Sequence, residues 1–293
     1  RKMANTTFTG PIRAKSTNGF QSVTETNGVE TTYGKLIGTH LQIDSSSANQ
    51  ASSDFIVGKN GSPENTVNPF AESSTQLFPL GTKLIYNDRV FAYALMGAGA
   101  VTAGKLLQTK VAVANHRDIA VQAAAAAGDT TVTVTLGATA AAENLYAEGY
   151  LHINDVAGQG QLLKIASHPA GDSSGNMTVT LYDAVATALT TSSKADLIAN
   201  KYSGLIVAPT AETGSLSGVT AIDMTAAYYG WVQIQGPCSI LTDGTLVLGH
   251  QAVRSDNAAG AVEPAPNDTY IGVGDVMVLN GDTDNSVINL NLS

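Results

Sequence analysis

The sequence predicts a mostly β protein: an extended N-terminal arm followed by a β-sandwich or barrel-like body with an inserted small β module. Three observations predict it. Apolar residues alternate with threonine at period two in 131–136 ("TVTVTL") and 177–181 ("MTVTL"), the spacing of a half-buried strand. Glycines and turn residues separate such runs at short intervals, as antiparallel sheets require. The opening residues, by contrast, carry no long apolar pattern and are crowded with "AKSTNGFQSVTETNG", "IDSSSANQASSD" and "KNGSPENTVNP".

Residues 1–78 read as the arm. Its apolar anchors, among them Phe8, Ile12, Phe20, Tyr33, Phe55, Phe70 and Phe78, are widely spaced. Such a segment buries too little apolar surface to offset its ordering entropy, so it is expected to order against a partner. A short strand is expected at "KLIGTHLQID". Met3 reads as the natural start, with Arg1 and Lys2 a remnant or an upstream extension.

Residues 79–118 together with 201–293 read as the β body, and 119–200 as the inserted module. In the first piece "TKLIY", "RVFAYALM" and "KLLQTKVAVA" predict a three-strand meander. In the module, "IAVQAAAAAG" holds good helix formers but is short and runs straight into "DTTVTVTL", which favours strand or extended chain. "TVTVTLGATAA" and "MTVTLYDAVATAL" are near-echoes, and "GYLHINDVAGQGQLLKIASH" reads as a hairpin. In the last block "WVQIQ" places Val232 and Ile234 on one face and Trp231, Gln233 and Gln235 on the other. Asp243-Gly244 predicts a two-residue hairpin, and "YIGVGDVMVLN" with "SVINLNL" finishes the sheet.

Charged residues make up only 13% of the chain, about half the usual share, which suits a neutral polar surface on a β-rich structural protein. The net charge is −9 and unevenly placed: residues 1–118 carry 11 basic against 8 acidic residues, residues 119–293 carry 4 against 16. The acidic portion would repel nucleic acid, while the first part is expected to face a partner. No window of about 18 apolar residues predicts a membrane span, and the first residues lack a signal-peptide core, so a soluble chain is expected. The single cysteine, Cys238, excludes an internal disulfide framework and reads as a small buried hydrophobe.

No stretch predicts a catalytic, cofactor or metal site. "GDSSG" at 171–175 matches the pattern of a serine nucleophile, but a strand without a following helix flanks Ser173, and His168 five residues earlier supplies no triad geometry. Histidines 40, 116, 152, 168 and 250 lack ligand spacing. "GDTDNS" at 281 departs from a calcium loop at Val287 and Ser293 and reads as a polar turn. "MGAGAVTAG" misses the dinucleotide fingerprint at Thr102. The pairs Glu143 with Glu148 and Asp282 with Asp284 fall in turns or solvated stretches. Tyr228, Tyr229 and Trp231 cluster before a strand and read as a core or subunit seam in preference to a sugar platform.

The start, "MANTTFTGPIRAKSTNGFQSV", resembles the N-terminus of virion structural proteins of marine and cyanobacterial tailed phages through Met3, Phe8, Gly10, Pro11, Arg13, Asn18, Gly19 and Phe20. The blocks "YYGWVQIQGPCSILTDGTLVLGHQAV" and "IGVGDVMVLNGDTDNSVINLNL" look like the β block of the same group and of other head-decoration proteins. Together these cover about a third of the chain. The resemblance implies a capsid decoration or cement protein on the outer surface of the virion, non-enzymatic and without cofactor. It implies a homotrimer partnered with the major capsid protein, with no nucleic acid or membrane bound. Its arm, with Phe8, Pro11, Ile12, Arg13, Lys15, Phe20, Tyr33 and Lys35 as contact residues, would cross the seam between capsid subunits. A tail or head fibre or receptor-binding adhesin is the alternative, from the inserted module and the Tyr228–Trp231 cluster. A major capsid protein ranks third for want of a long helix pattern, and a Ser173 hydrolase last.

Overall fold

The computed structural model describes residues 67–266 and 272–292 in full, and residues 20–26, 29–37, 40–43 and 55–57 as strand backbone. The protein is mostly β, built from a large sheet and a closed six-stranded barrel. Among the described residues a three-residue 3-10 turn is the only helical element, and no helix is long and apolar enough to cross a membrane.

In the N-terminal segment β1 (Phe20–Thr26), β2 (Val29–Ile37) and β3 (His40–Ile43) pair as an antiparallel three-stranded sheet. "KLIGTHLQID" thus holds the end of β2 and all of β3, joined as a hairpin. The next strand, β4 (Phe55–Val57), runs parallel to β5 (Lys83–Tyr86). A hairpin through Asn87-Asp88, with Asn87 at φ 57°, joins β5 to β6 (Arg89–Met96); Asn tolerates that left-handed turn position.

The expected meander stops there. The third run forms only β7 (Leu106–Gln108), and residues 109–113 continue without strand pairing toward the 3-10 turn Ala114–His116. β7 lies between β14 (Ser203–Val207) and β15 (Leu216–Thr220), both supplied from beyond the module, and does not pair with β6. The local pattern identified the strand, but long-range pairing chose its neighbours. β14 in turn runs parallel to β6, and β6 and β15 flank β16 (Tyr229–Leu241). β16, β15, β7, β14 and β6 therefore close into a ring, filled by Ala92, Met96, Leu107, Leu205, Val232 and Ile234.

The 13-residue β16 serves two layers. Its first half closes the ring, and its second half pairs with β20 (Asn285–Asn291) in a sheet continued by β19 (Gly272–Val278), β17 (Gln251–Arg254) and β18 (Val262–Pro264). The strand bends between the halves at Gly236, φ 87°, where a Cβ would strike the Asp88 carbonyl. Only glycine meets both demands. The alternation in "WVQIQ" holds, but Trp231 and Gln233 are buried as well as Val232 and Ile234, so both faces of the strand are covered. The Gln233 amide donates to the carbonyls of Gln235, Gly236 and Pro237 at 3.1, 3.2 and 2.8 Å, which satisfies a buried polar group and props the bend.

Asp243-Gly244 does not make a hairpin. β16 and β17 are not paired; instead the Thr242 N–H donates to the Asp284 carbonyl at 2.9 Å and the Gly244 N–H to Asp282 Oδ1 at 2.9 Å. The β19–β20 hairpin occupies the edge that a β16–β17 hairpin would need, and its "GDTDNS" turn captures the 242–244 backbone.

The six-stranded barrel is built wholly from 119–198: β8 (Ile119–Val121), β9 (Thr131–Thr135), β10 (Tyr150–Asp155), β11 (Leu162–Ser167), β12 (Asn176–Leu181) and β13 (Lys194–Ile198), closed by the β10–β13 ladder. The "AVQAAAAAG" stretch is strand and then extended chain, with Ala125 bridged to Leu189. The near-echo segments are neighbours: β9 and β12 lie antiparallel with Val132 opposite Val179 and Val134 opposite Met177. Alternate residues point inward to a core that includes Val134, Leu151, Ile153, Ile165 and Val179, and closure leaves no strand edge exposed.

Candidate functional site

Ser173 is exposed in the turn between β11 and β12, where Ser174 takes φ 57°. His168 does not serve it: its Nδ1 donates to the Pro169 carbonyl at 2.7 Å and its Nε2 accepts the Tyr146 N–H at 3.0 Å. A second buried histidine, His116, meets the Tyr146 hydroxyl through Nδ1 at 2.5 Å and the Thr139 carbonyl through Nε2 at 2.8 Å. The carbonyl can only accept, which assigns the proton to Nε2. Tyr146 is thus held between two imidazoles and buried in the barrel's core cluster, and burial pushes its phenol up to about 12. His152 pairs with Asp196 at 3.0 Å and His250 is exposed. Among the described residues no three His, Cys, Asp or Glu side chains gather as a metal-holding group. Cys238 is buried in β16, and burial raises its thiol to about 12.

The aromatic trio divides. Trp231 is buried with Leu84, Phe91 and Tyr93. Its ring lies 5.1 Å from Tyr93 and 5.4 Å from Phe78, and Tyr229 stacks on Tyr93 at 6.0 Å. Tyr228 is half-buried at the start of the strand. This cluster receives the last part of the 1–78 arm, so Phe70 and Phe78, expected to order against a partner, pack on the chain's own body instead. Residues 67–80 run across the body as a strap: Ser73 exchanges both backbone hydrogen bonds with Tyr229 at 2.9 and 2.8 Å. The Glu72 carboxylate accepts the Thr225 N–H and hydroxyl, each at 2.7 Å, and the Leu77 N–H donates to the Tyr93 hydroxyl at 3.0 Å. Phe70 packs edge-on against Tyr86 and Phe91, and the Arg89 guanidinium sits 5.4 Å from the Phe70 ring centroid.

The strap also reaches the barrel. Gln76 Nε2 donates to Glu148 Oε1 at 2.5 Å and the Leu80 N–H to Glu148 Oε2 at 2.5 Å. Asn200 Nδ2 donates to the Glu148 and Leu80 carbonyls at 2.9 and 3.3 Å. The 67–80 segment therefore binds sheet and barrel together through directed polar bonds.

Of the predicted contact residues, Phe8, Pro11, Ile12, Arg13 and Lys15 lie outside the described residues. Phe20 falls in β1, and Tyr33 and Lys35 in β2, by their backbone. Glu148 and Tyr93 went unnoticed as junction residues. Tyr93 was legible as an aromatic in a strand, whereas nothing local marks Glu148, whose partners lie 68 and 72 residues away.

The architecture defines a mostly β chain in which a ring-and-sheet body carries a closed barrel. No protein family, curated protein or solved structure matches it.

Proposed function

We propose that this chain is a non-enzymatic capsid decoration, or cement, protein that binds the outer surface of a phage head, bridges neighbouring major capsid subunits and stabilises the shell. The observation that carries the reading is the strap. A clamp must pass load from its gripping segment into a rigid body, and residues 67–80, where the polar anchor-bearing arm ends, are tied to β16 by paired backbone bonds and to a buried aromatic cluster. The N-terminal resemblance at Phe8, Gly10, Pro11, Arg13 and Phe20 supports it, as does the basic balance of 1–118 beside an acidic remainder. The arm's anchors would bury in the capsid seam, with Arg13, Lys15 and Lys35 beside acidic shell surface. One arm alone would bind modestly because ordering it costs several kcal/mol. Three arms on a symmetric trimer raise avidity about 10² to 10⁴-fold.

An adhesin reading is favoured by Leu162 and Tyr182, which stand 53% and 64% exposed on the barrel. One experiment separates the two: purified protein is added to shells lacking it and the particles are imaged. Stoichiometric density at three-fold or quasi-three-fold positions supports cementing, and density confined to the tail overturns it. Deleting residues 3–35 should abolish attachment while the body stays folded; a truncated chain that decorates fully would refute the arm mechanism.

A further inference from the structure

Two crossings connect barrel and body, 109–118 outward and 199–202 back. Between them opens a cleft of about 460 Å³, within the range of small-molecule sites. Its polar wall includes Lys110, Arg117, Asn200 and Ser215, and its apolar wall Val111 and Ile198.

The charges in this cleft do not balance. The Lys110 ammonium is half-buried, donates to the Leu145 carbonyl at 3.2 Å and lies 5.8 Å from the Tyr146 ring centroid. Among the described residues no carboxylate comes within 4.0 Å of Lys110 or Arg117. The carboxylate that lines the cleft, Asp196, is already committed: Oδ1 accepts the Asp118 N–H at 2.8 Å and Oδ2 faces His152 Nδ1 at 3.0 Å. Burial without a counter-charge pulls the Lys110 pKa down, so one carbonyl and one ring face replace only part of the hydration the ammonium loses. The apolar wall is equally unpartnered, with Val111 54% and Ile198 42% exposed.

We propose that this cleft binds a small organic anion, with a carboxylate or phosphate head on Lys110 and Arg117 and an apolar body against Val111 and Ile198. Both charge and shape argue for that chemistry: a bare inorganic ion would leave the apolar wall wet, and an apolar ligand would leave the ammonium uncompensated. The site is independent of capsid attachment. A ligand seated there would touch both crossings and fix the barrel against the body.

The test titrates the full chain with phenylacetate, with phenethylamine as its cationic counterpart, and with inorganic phosphate, followed by amide chemical shifts. Phenylacetate should produce saturable shifts confined to 109–118 and 197–201, phosphate should compete for them, and phenethylamine should produce none. Lys110→Met should weaken phenylacetate about tenfold or more, the worth of one hydrogen bond to a charged group, and Lys110→Arg should restore it. Arg117 is exposed, so Arg117→Ser repeats the test without disturbing the fold. Equal response to phenylacetate and phenethylamine, response to neither, no competition by phosphate, or wild-type affinity in both charge-removing variants would overturn the proposal.

Discussion

Glu148 accepts the backbone N–H of Leu80 at 2.5 Å, a bond that spans 68 residues of sequence and joins the barrel to the body. Its other oxygen accepts from Gln76 at 2.5 Å, so one carboxylate holds two points of the strap. Hydrogen bonds to a charged group contribute about 1.5–3 kcal/mol. Glu148→Ala is expected to destabilise the chain by about that much and Glu148→Gln by less. Thermal unfolding measures the loss, and faster amide exchange at Leu80 locates it; unchanged exchange at Leu80 would refute the latch.

Acid should loosen the packing around Tyr146 through His168. Its hydrogen bonds need a neutral ring, and burial is the main cause that lowers its pKa from 6.5; His116 and Lys110 push the same way, and the Pro169 carbonyl and Glu143 oppose. The unfolded histidine takes up a proton near pH 6.5 while the folded one resists. Its contribution is therefore complete above that pH and is lost as pH falls below it. Denaturant titrations between about pH 5 and 8 should show stability falling on the acid side, with a shallower slope in His168→Gln.

Trp231, the chain's one tryptophan, reports on the strap. It is 3% exposed and 5.4 Å from Phe78. Trp231→Ala should cost about 3–5 kcal/mol. Phe78→Ala should shift the tryptophan emission to the red by admitting water, with the barrel's circular dichroism retained; an unshifted spectrum would show that the strap does not shield the ring.

Cys238 should resist thiol reagents in the native state. With its thiol raised to about 12, almost no thiolate exists at neutral pH. Labelling should follow global unfolding, and rapid stoichiometric labelling without denaturant would contradict the buried placement.

The sequence was most legible where one face of a strand meets a core. Val132, Val134 and Leu136 are buried as their alternation required, and so are Met177, Val179 and Leu181. It misled where pairing is decided at a distance. The Asp243-Gly244 turn has strong local chemistry, yet Asp282 and Asp284, about 40 residues on, hold that backbone. "KLLQTKVAVA" looked like one strand because nothing local reveals that the chain must leave the body after Gln108. At the candidate site, Trp231 and Tyr229 were recognisable as aromatics in an apolar strand. Glu148 and Lys110 were not, because a carboxylate or ammonium acquires meaning only from partners that folding brings to it or withholds.

The module's first and last strands lie side by side, with Ile119 opposite Ala195 and Ala120 opposite Lys194. Chain entry and exit therefore share one doorway, and no strand of the body depends on the barrel for its ladder. Such a cassette can be excised, bridged by a few residues, or exchanged for another of different shape without redrawing the scaffold. Substitutions and length changes between 119 and 198 should then leave the sheet-forming body able to fold.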